Sequence, residues 1–309
     1  MSTPTRPSTQ PAVGPAAADL HTRVLTWYDD HARDMPWRQP GCSAWGVLVS
    51  EVMLQQTPVA RVLPQWRAWT ERWPRPADLA AEAPGEAVRM WARLGYPRRA
   101  LRLHAAAVAI TADHGGEVPR DHAELLALPG VGTYTAAAVA SFAFGQRHAV
   151  VDTNVRRVHA RAVSGAAEPA PALTSAETRL AVDLLPADPP TAARWAVAVM
   201  ELGALVCTAR APRCGQCPLA GRCAWVLAGR PVHTGPARRA QAWAGTDRQV
   251  RGKLLAVLRD ADGPVGAPDL AAAWTTDPAQ RERCLDGLVA DGLVEPLDDG
   301  RFSLPRTSR

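Results

Sequence analysis

Four cysteines lie close together in one short segment and form the most specific chemical pattern of the chain. They are separated by six, two and five residues: Cys207, Cys214, Cys217 and Cys223. Four thiolates this close can ligate one compact centre, and uneven spacing within a single loop is typical of an iron–sulfur cluster. Structural zinc more often uses paired C-x2-C knuckles, and this segment contains only one such pair. Zinc is therefore the less favoured alternative. Four cysteine ligands leave no open coordination position, which indicates a structural role.

Glu51 is the first candidate for acid–base chemistry. It belongs to the segment SEVMLQQT (50–57), and on a helix it would share a face with Val47, Leu48 and Leu54. A carboxylate on an apolar face is desolvated, which raises its pKa and keeps part of it protonated near neutral pH. A general acid needs that property. The alternative is a buried glutamate that is paired with an arginine and does no chemistry.

Asp152 is the second candidate, and it stands directly before a predicted helix in the segment VVDTNVRR (150–157). An aspartate in this position is most often an N-cap. A carboxylate at a helix N-terminus is also expected to keep a low pKa, to stay ionised and to face a developing cation. Both roles are open.

The segment LPGVG (128–132) predicts a tight turn between two helices. Its two glycines allow the backbone to turn sharply and to bring N–H groups close to an anion. The helix that begins at Thr133 adds its positive N-terminal end. Such a turn can hold a DNA phosphate without reading the base sequence; a plain αα-turn is the alternative.

Helical segments separated by glycine and proline must position these residues. The predicted helices nearest to the candidates cover 19–28, 44–56, a stretch opened by Thr57 as N-cap and Pro58 in its first turn, 133–144 and 152–161. Residues 228–247 mix Gly, Pro and Arg and predict a linker. Three further helices, at 248–260, 267–274 and 278–291, and a β-hairpin over 293–304 then resemble a winged-helix module.

The composition is typical of a soluble, largely helical protein in a reducing compartment. Of its 309 residues 47% are hydrophobic, and no apolar run approaches the roughly 18–20 residues of a membrane span. Residues 1–18 lack the apolar core of a secretion signal and predict a disordered tail. The net charge of +5 permits a nucleic-acid partner without establishing one. A cytoplasmic location is expected, at the nucleoid in a bacterium.

In this order, the motifs resemble the adenine glycosylases of the MutY family, which belong to the helix-hairpin-helix DNA glycosylase superfamily. The resemblance covers about residues 20–225 and depends on MPWR (35–38), SEVMLQQT (50–57), LGY (94–96), LPGVGTYTA (128–136), VDTN (151–154), MELGALVC (200–207) and the cysteine loop. It implies a mainly α, two-lobed fold with a [4Fe-4S] cluster loop. The expected division is a tail (1–18), a glycosylase core (19–227) with the cluster loop (207–223), a linker (228–247) and a C-terminal winged-helix-like module (248–309), too short for the Nudix-like domain of longer relatives.

The resemblance implies a monofunctional glycosylase that hydrolyses the N-glycosidic bond of adenine mispaired with 8-oxoguanine or guanine. Glu51 would protonate the adenine ring and then help to activate water, Asp152 would stabilise the oxocarbenium-like sugar, and Asn154 would orient Asp152. Tyr134 falls where many family members place a tyrosine in the catalytic pocket. Endonuclease III-like enzymes carry a lysine nucleophile there, and the only lysine of this chain is Lys253. Strong strand cleavage through a Schiff base is therefore not expected.

The resemblance also implies the contacts with double-stranded DNA. Tyr96 and Gln55 or Gln56 would enter the duplex where the base stack is opened. The remaining predicted contacts are Arg38, Gly130, Val131, Gly132 and Thr133, and the hairpin is also a candidate site for a monovalent cation. A monomer is expected. Two other functions remain open: a thymine or uracil mismatch glycosylase of the same superfamily, and a non-catalytic DNA-binding protein.

Overall fold

The computed structural model describes residues 15–233, 235 and 243–306, and these residues are mainly helical. The helices are α1 (Pro15–His31), α2 (Ala44–Leu54), α3 (Val59–Arg72), α4 (Pro76–Ala80), α5 (Pro84–Met90), α6 (Arg98–Asp113), α7 (His122–Ala127), α8 (Thr133–Phe144), α9 (Thr153–Ala162), α10 (Ser175–Asp183), α11 (Pro189–Leu205), α12 (Ala224–Leu227), α13 (Asp247–Asp260), α14 (Ala267–Ala273) and α15 (Pro278–Ala290). Two short strands follow, β1 (Glu295–Pro296) and β2 (Phe302–Ser303). The predicted mainly α fold is confirmed. None of the described helices has the length and apolar character that crossing a membrane requires.

The described residues divide into two compact units. The first falls within Met1–Arg38 and Ala140–Gly235, and the second within Gln39–Val139 and Pro236–Arg309. Most of the predicted tail, residues 1–14, lies outside the described residues, as do residues 234 and 236–242 of the predicted linker. Residues 15–18 form the first turn of α1, because Pro15 suits the start of a helix and the three alanines that follow favour its continuation.

In the first unit, α1, α9 and α11 pack around one apolar core. Each helix contributes a stripe of buried side chains, such as Trp27 from α1, Val158 from α9 and Leu202 from α11. Burial of such stripes is the main force that holds amphipathic helices together. The core positions the start of α9, which carries Asp152, and the end of α11, which leads into the cysteine loop.

In the second unit, α2 packs against α3 and α6, and its residues from Trp45 to Met53 are all buried. Three tryptophans pack edge to face beside it, Trp69 with Trp73 and Trp69 with Trp91. A short turn joins α7 to α8 and makes the predicted helix-hairpin-helix. The environment of α2 is therefore largely apolar.

Thr57 does not cap the third helix, and that prediction is wrong. The residue before α3 is Pro58, and no side chain caps this helix. The Thr57 hydroxyl is instead buried and donates to the carbonyl oxygens of Gln55 and Leu94. Tertiary hydrogen bonds have replaced the local cap.

The C-terminal part of the second unit follows the predicted winged-helix order closely. Helices α14 and α15 pack on α13. Strands β1 and β2 pair antiparallel with Pro296 opposite Phe302, and Val265 bridges to Phe302. The strands are shorter than predicted, because only two residues on each side keep ladder pairing before the Asp298–Gly300 turn.

Candidate active site

Glu51 lies in the middle of α2 and is only 5% exposed. Its Oε2 accepts a hydrogen bond of 3.0 Å from the hydroxyl of Tyr134. Tyr134 is the second residue of α8, so the helix-hairpin-helix turn determines where this hydroxyl lies. The structure thus brings together two predicted site residues that are 83 positions apart in sequence. A buried carboxyl beside a hydroxyl donor can hold a proton in one state and a stabilised negative charge in the other.

Arg99 holds the C-terminal end of α2 and was not singled out from the sequence. Its Nη1 donates to the carbonyl oxygens of Val52 (2.9 Å) and Met53 (3.2 Å), and its Nη2 donates to that of Gly95 (3.0 Å). A cation at this position satisfies carbonyls that a helix end leaves without partners. Burial lowers the pKa of Arg99 to about 10, so it stays charged at neutral pH.

Residues 92–97, here called the recognition loop, carry the predicted insertion residue Tyr96. Tyr96 is 50% exposed and has a φ of 48°, and Gly95 before it has a φ of 84°. Gln56 is also exposed with a φ of 55°, whereas Gln55 is half-buried and donates to the Thr135 hydroxyl at 3.3 Å. Tyr96 and Gln56 are therefore presented to solvent on strained backbone, and Gln55 is held against α8.

The hairpin between α7 and α8 requires glycine at position 130. Gly130 has a φ of 76°, and a Cβ atom there would lie 2.5 Å from the Cβ of Arg102. Gly132 and Thr133 are exposed, whereas Val131 is buried and its N–H donates to the Leu128 carbonyl at 3.1 Å. Of the predicted hairpin contacts, Gly130, Gly132 and Thr133 are thus accessible to a phosphate. The cation at this turn stays a prediction.

Asp152 caps α9, as its position in the sequence indicated. Its Oδ1 accepts from the N–H of Val155 and its Oδ2 from the side-chain amide of Asn154, both at 2.7 Å. The predicted low pKa is wrong: burial raises the pKa of Asp152, and the hydrogen bonds from Val155 and Asn154 offset that effect only in part. Desolvation outweighs the helix N-terminus here.

Arg157 links Asp152 to the start of the cysteine loop, a connection that the sequence did not indicate. Its Nη2 donates to Asn154 Oδ1 at 2.7 Å, and its Nε donates to the carbonyl of Cys207 at 2.6 Å. Asn154 in turn donates to Asp152. A continuous set of hydrogen bonds therefore runs from the backbone of Cys207 to the carboxylate of Asp152.

All four predicted ligand cysteines line a single cavity in the first unit. Cys223 is buried and the other three are half-buried. Burial raises the pKa of Cys217 to about 11, and repulsion from the other three thiols adds to this effect. A cationic iron–sulfur core would reverse that penalty, because thiolates are its ligands. The donor set therefore fits such a core. Within the described residues, no three His, Cys, Asp or Glu side chains form a group suited to a single metal ion.

Arg161 and Trp225 complete the surroundings of this cavity. The Nη1 of Arg161 lies 3.5 Å from the Cys207 sulfur and donates to the Thr208 carbonyl at 2.7 Å, and the guanidinium covers the Trp225 ring. On the outside of the loop, Arg210 and Arg213 are exposed, and exposed Arg222 pairs with Asp19 at 3.1 Å. The inner arginine supports the loop, and the outer ones give it a positive surface.

Arg38 contacts a buried carboxylate in the first unit. Its Nη2 donates to Glu201 Oε2 at 2.9 Å, and Arg33 donates to both oxygens of the same carboxylate. Glu201 is fully buried, and the two arginines hold its pKa at about 2 despite the desolvation. A contact between Arg38 and DNA stays a prediction. The sequence signal for Glu201 was a single acidic residue within the apolar run of α11.

Two segments of the chain match models of known protein families. Residues 49–182 match the HhH-GPD superfamily of base excision DNA repair proteins, and residues 207–223 match the iron–sulfur binding domain of endonuclease III. The second match spans the four cysteines and supports a [4Fe-4S] cluster over zinc, which confirms the predicted cofactor.

Close relatives then identify the family. The chain is 58% identical over 281 residues to the adenine DNA glycosylase of Mycolicibacterium smegmatis, covering 91% of this chain and 94% of that one. It is 55% identical over 284 residues to that of Mycobacterium tuberculosis, covering 92% and 93%. A solved thermostable thymine-DNA glycosylase superposes with a TM-score of 0.62 at 28% identity, covering 69% of this chain and 97% of that one. The chain belongs to the adenine DNA glycosylase family.

Proposed function

We propose that the protein is a monofunctional DNA glycosylase that hydrolyses the N-glycosidic bond of adenine mispaired with 8-oxoguanine or guanine. The main support for this proposal is the buried carboxyl of Glu51, which accepts a hydrogen bond from the Tyr134 hydroxyl. The relatives that cover almost the whole chain are named adenine DNA glycosylases. The protein would act as a monomer on double-stranded DNA, in the cytoplasm at the nucleoid.

The first chemical task is to make adenine a good leaving group. Adenine departs poorly as an anion, whereas a proton on a ring nitrogen allows it to leave as a neutral base. Glu51 supplies this proton, and the Tyr134 hydroxyl then stabilises the carboxylate that remains. General acid catalysis of this kind contributes roughly 10²–10⁴-fold to the rate.

The second task is to stabilise the sugar after the bond between C1′ and the base has broken. The sugar then carries positive charge, as in other glycoside cleavages that use two carboxylates. Asp152 in its ionised form faces this charge, and Asn154 fixes the orientation of the carboxylate. Water adds to C1′ and gives a proton to Glu51, which restores the acid.

Opening the duplex precedes the chemistry. Unstacking one base costs a few kcal/mol and costs less at a mispair, which itself favours mispaired sites. Tyr96 and Gln56 would fill the opened stack, and Gln55 would support Gln56 from its place beside Thr135. The exposed hairpin residues would bind a phosphate nearby in the DNA backbone.

The cluster has a structural role in this proposal. When bound, it would join residues 207–223 into one rigid loop through its four cysteines. That loop would hold Arg157 through the Cys207 carbonyl and would present Arg210 and Arg213 to DNA phosphates.

Strand cleavage by a lysine nucleophile is not part of the reaction. Position 134 holds a tyrosine, whose hydroxyl contacts Glu51. The single lysine, Lys253, lies in α13 with its Nζ over the Trp274 ring at 5.0 Å. The product is therefore an abasic site in an intact strand.

Single-turnover base release from synthetic duplexes tests the proposal. Duplexes that carry A•8-oxoguanine, A•G, T•G, U•G or A•T at one position are incubated with excess cluster-loaded protein, and free base and strand breaks are both quantified. We expect adenine release from the first two duplexes and intact strands before alkali treatment. Release of thymine or uracil, without release of adenine, would identify the protein as a thymine or uracil mismatch glycosylase. Tight binding without release of any base would contradict the proposal.

A further inference from the structure

The C-terminal module, defined here as residues 246–306, contacts the segment that leads into the recognition loop. The N–H of Gly85 in α5 donates to the Pro305 carbonyl at 2.7 Å. Arg89, also in α5, donates through Nη1 to the Ala261 carbonyl at 2.9 Å and to the Arg259 carbonyl. The backbones of Gly85 and Pro305 are also in close contact, since a Cβ atom on Gly85 would lie 2.6 Å from the Pro305 oxygen.

One contact of the module reaches the recognition loop itself. The Nη1 of Arg259, near the end of α13, donates to the carbonyl oxygen of Ala92. Ala92 is the first residue of that loop and has a φ of 48°. A non-glycine residue in this left-handed region is unfavourable unless its surroundings hold it there. Arg259 supplies such a holding contact.

The middle of the recognition loop, at Leu94 and Gly95, is held from within residues 39–139. The Gly95 carbonyl accepts from Trp91 Nε1 at 2.9 Å and from Arg99 Nη2 at 3.0 Å. The Leu94 carbonyl accepts from the Thr57 hydroxyl at 3.3 Å. The module thus holds the first residue of the loop, Ala92, whereas the glycosylase core holds the carbonyls of Arg93, through Arg61 Nη2, and of Leu94 and Gly95. Tyr96 follows directly and is exposed.

The charges of the module do not suggest a DNA-reading surface. In α15, Arg281 donates to the Trp274 carbonyl and Arg283 pairs with Asp247. Asp291, at the end of the same helix, pairs with Arg98 at 3.1 Å and also with Arg251. These charged side chains are thus used for contacts inside the module and with α6.

We infer that the C-terminal module is a positioning support for the recognition loop, and that Arg259 is the residue through which it acts. The inference rests on the proposed function, in which Tyr96 fills the opened stack. The module fixes Ala92, the fixed loop holds Tyr96 ready for insertion, and loss of the contact slows base extrusion without changing the bond-breaking step.

The test compares Arg259→Met with Arg301→Met in the full-length protein. Methionine keeps the aliphatic stem of the side chain and removes the donors. Arg301 lies in the hairpin turn of the same module, where it pairs with Asp299, so it serves as the matched control. Arg89→Met removes a second contact of the module and provides an independent variant.

Two duplexes separate positioning from chemistry. In the first, adenine faces guanine and must be unstacked; in the second, adenine faces a one-nucleotide gap and is already poorly stacked. We expect Arg259→Met to slow adenine release from the first duplex by about tenfold and from the second by less than about twofold, relative to wild type on the same duplex. Hydrogen exchange of the amides of residues 92–97 should become faster in Arg259→Met and not in Arg301→Met.

The outcomes distinguish the inference from the proposed function. Equal slowing on both duplexes, or unchanged release together with unchanged exchange in residues 92–97, overturns the inference. If the wild type releases no adenine from either duplex, the proposed function fails, and the exchange measurement still decides whether the module holds the loop.

Discussion

The two candidate carboxylates differ in their place on a helix and in the groups that donate hydrogen bonds to them. Glu51 lies in the middle of a helix that is buried along almost its whole length, and its carboxylate accepts a hydrogen bond from the Tyr134 hydroxyl. Asp152 lies at the N-terminus of a helix and accepts hydrogen bonds from the backbone N–H of Val155 and from the side-chain amide of Asn154. The guanidinium of Arg157 in turn donates to that amide.

These two settings explain how two similar side chains can take different roles. A carboxyl in apolar surroundings favours its neutral form and can give a proton, whereas a carboxylate with several donors is fixed in direction and can face a cation. Burial still raises the pKa of Asp152, so its ionised form is maintained at some cost to folding stability. The following substitutions test this contrast, ordered by their expected effect on the rate of base release.

Glu51→Gln should have the largest effect. Glutamine keeps the size of the side chain and can still accept from Tyr134, but it cannot donate an acidic proton. We expect adenine release to fall by roughly 10²–10⁴-fold with duplex affinity unchanged. Single-turnover release and gel-shift titration measure the two quantities. The exposed residue Glu71 provides the control, Glu71→Gln; release by Glu51→Gln at the control rate would remove Glu51 from the mechanism.

Asp152→Asn should reduce release by about 10²–10³-fold, because the charge that faces the sugar is lost while an asparagine still caps α9. The same substitution should leave the stability of the folded protein unchanged or increase it. Because folding raises the pKa of Asp152, the folded state binds the proton more tightly, and stability is lost as the pH rises through the folded pKa. An amide avoids this loss, so thermal melting at pH 7 should occur at or above the wild-type temperature. A clearly lower melting temperature would show that the ionised carboxylate stabilises the fold.

Arg157→Met should have an intermediate effect. It removes the donor to Asn154 and to the Cys207 carbonyl, so Asp152 loses its indirect support but not its direct partners. We expect about tenfold slower release, since misplacement rather than loss of a reacting group is involved. Absorbance of the cluster checks that it is retained. A variant with full activity and an intact cluster would show that Asn154 orients Asp152 without help.

Glu201→Gln should change the rate least and the stability most. The Glu201 pKa of about 2 lies below the unfolded value, so its stabilising contribution is present above pH 4.5 and is lost as the pH falls towards 2. Leaving two arginines without this partner should cost about 3–5 kcal/mol of the free energy of unfolding. Urea unfolding at pH 7 measures that cost, and release per folded molecule should stay within about twofold of wild type. A large loss of rate would give Glu201 a role beyond the fold.

Local signals in the sequence were enough to predict the elements that carry the site. Helical periodicity, the aspartate before α9 and the glycines of the hairpin are properties of a few neighbouring residues. The contact between Tyr134 and Glu51 spans 83 positions, and only the family resemblance suggested that both belong to a catalytic pocket. Long-range contacts of this kind leave little trace in one sequence.

The supporting arginines were missed for the same reason. Arg99 lies on the face of α6 that also buries Leu103 and Ala106, which was a signal of a buried cation, but its acceptors lie 46 and 47 positions away. Arg157 reaches Cys207 over 50 positions, and Arg33 reaches Glu201 over 168. At Thr57 the local sequence predicted an N-cap that the structure does not have. The Thr57 hydroxyl donates instead to the carbonyls of Gln55 and Leu94.

Changing the leaving group, with the protein unchanged, tests whether Glu51 protonates the adenine base. Duplexes with 1-deaza-, 3-deaza- or 7-deazaadenine opposite guanine each lack one basic ring nitrogen that could accept the proton from Glu51. In single-turnover assays with wild-type protein, at least one of these bases should be released more than about 100-fold more slowly than adenine, with duplex affinity retained. Release of all three at the rate of adenine would show that protonation of these ring nitrogens is not required and would contradict the account.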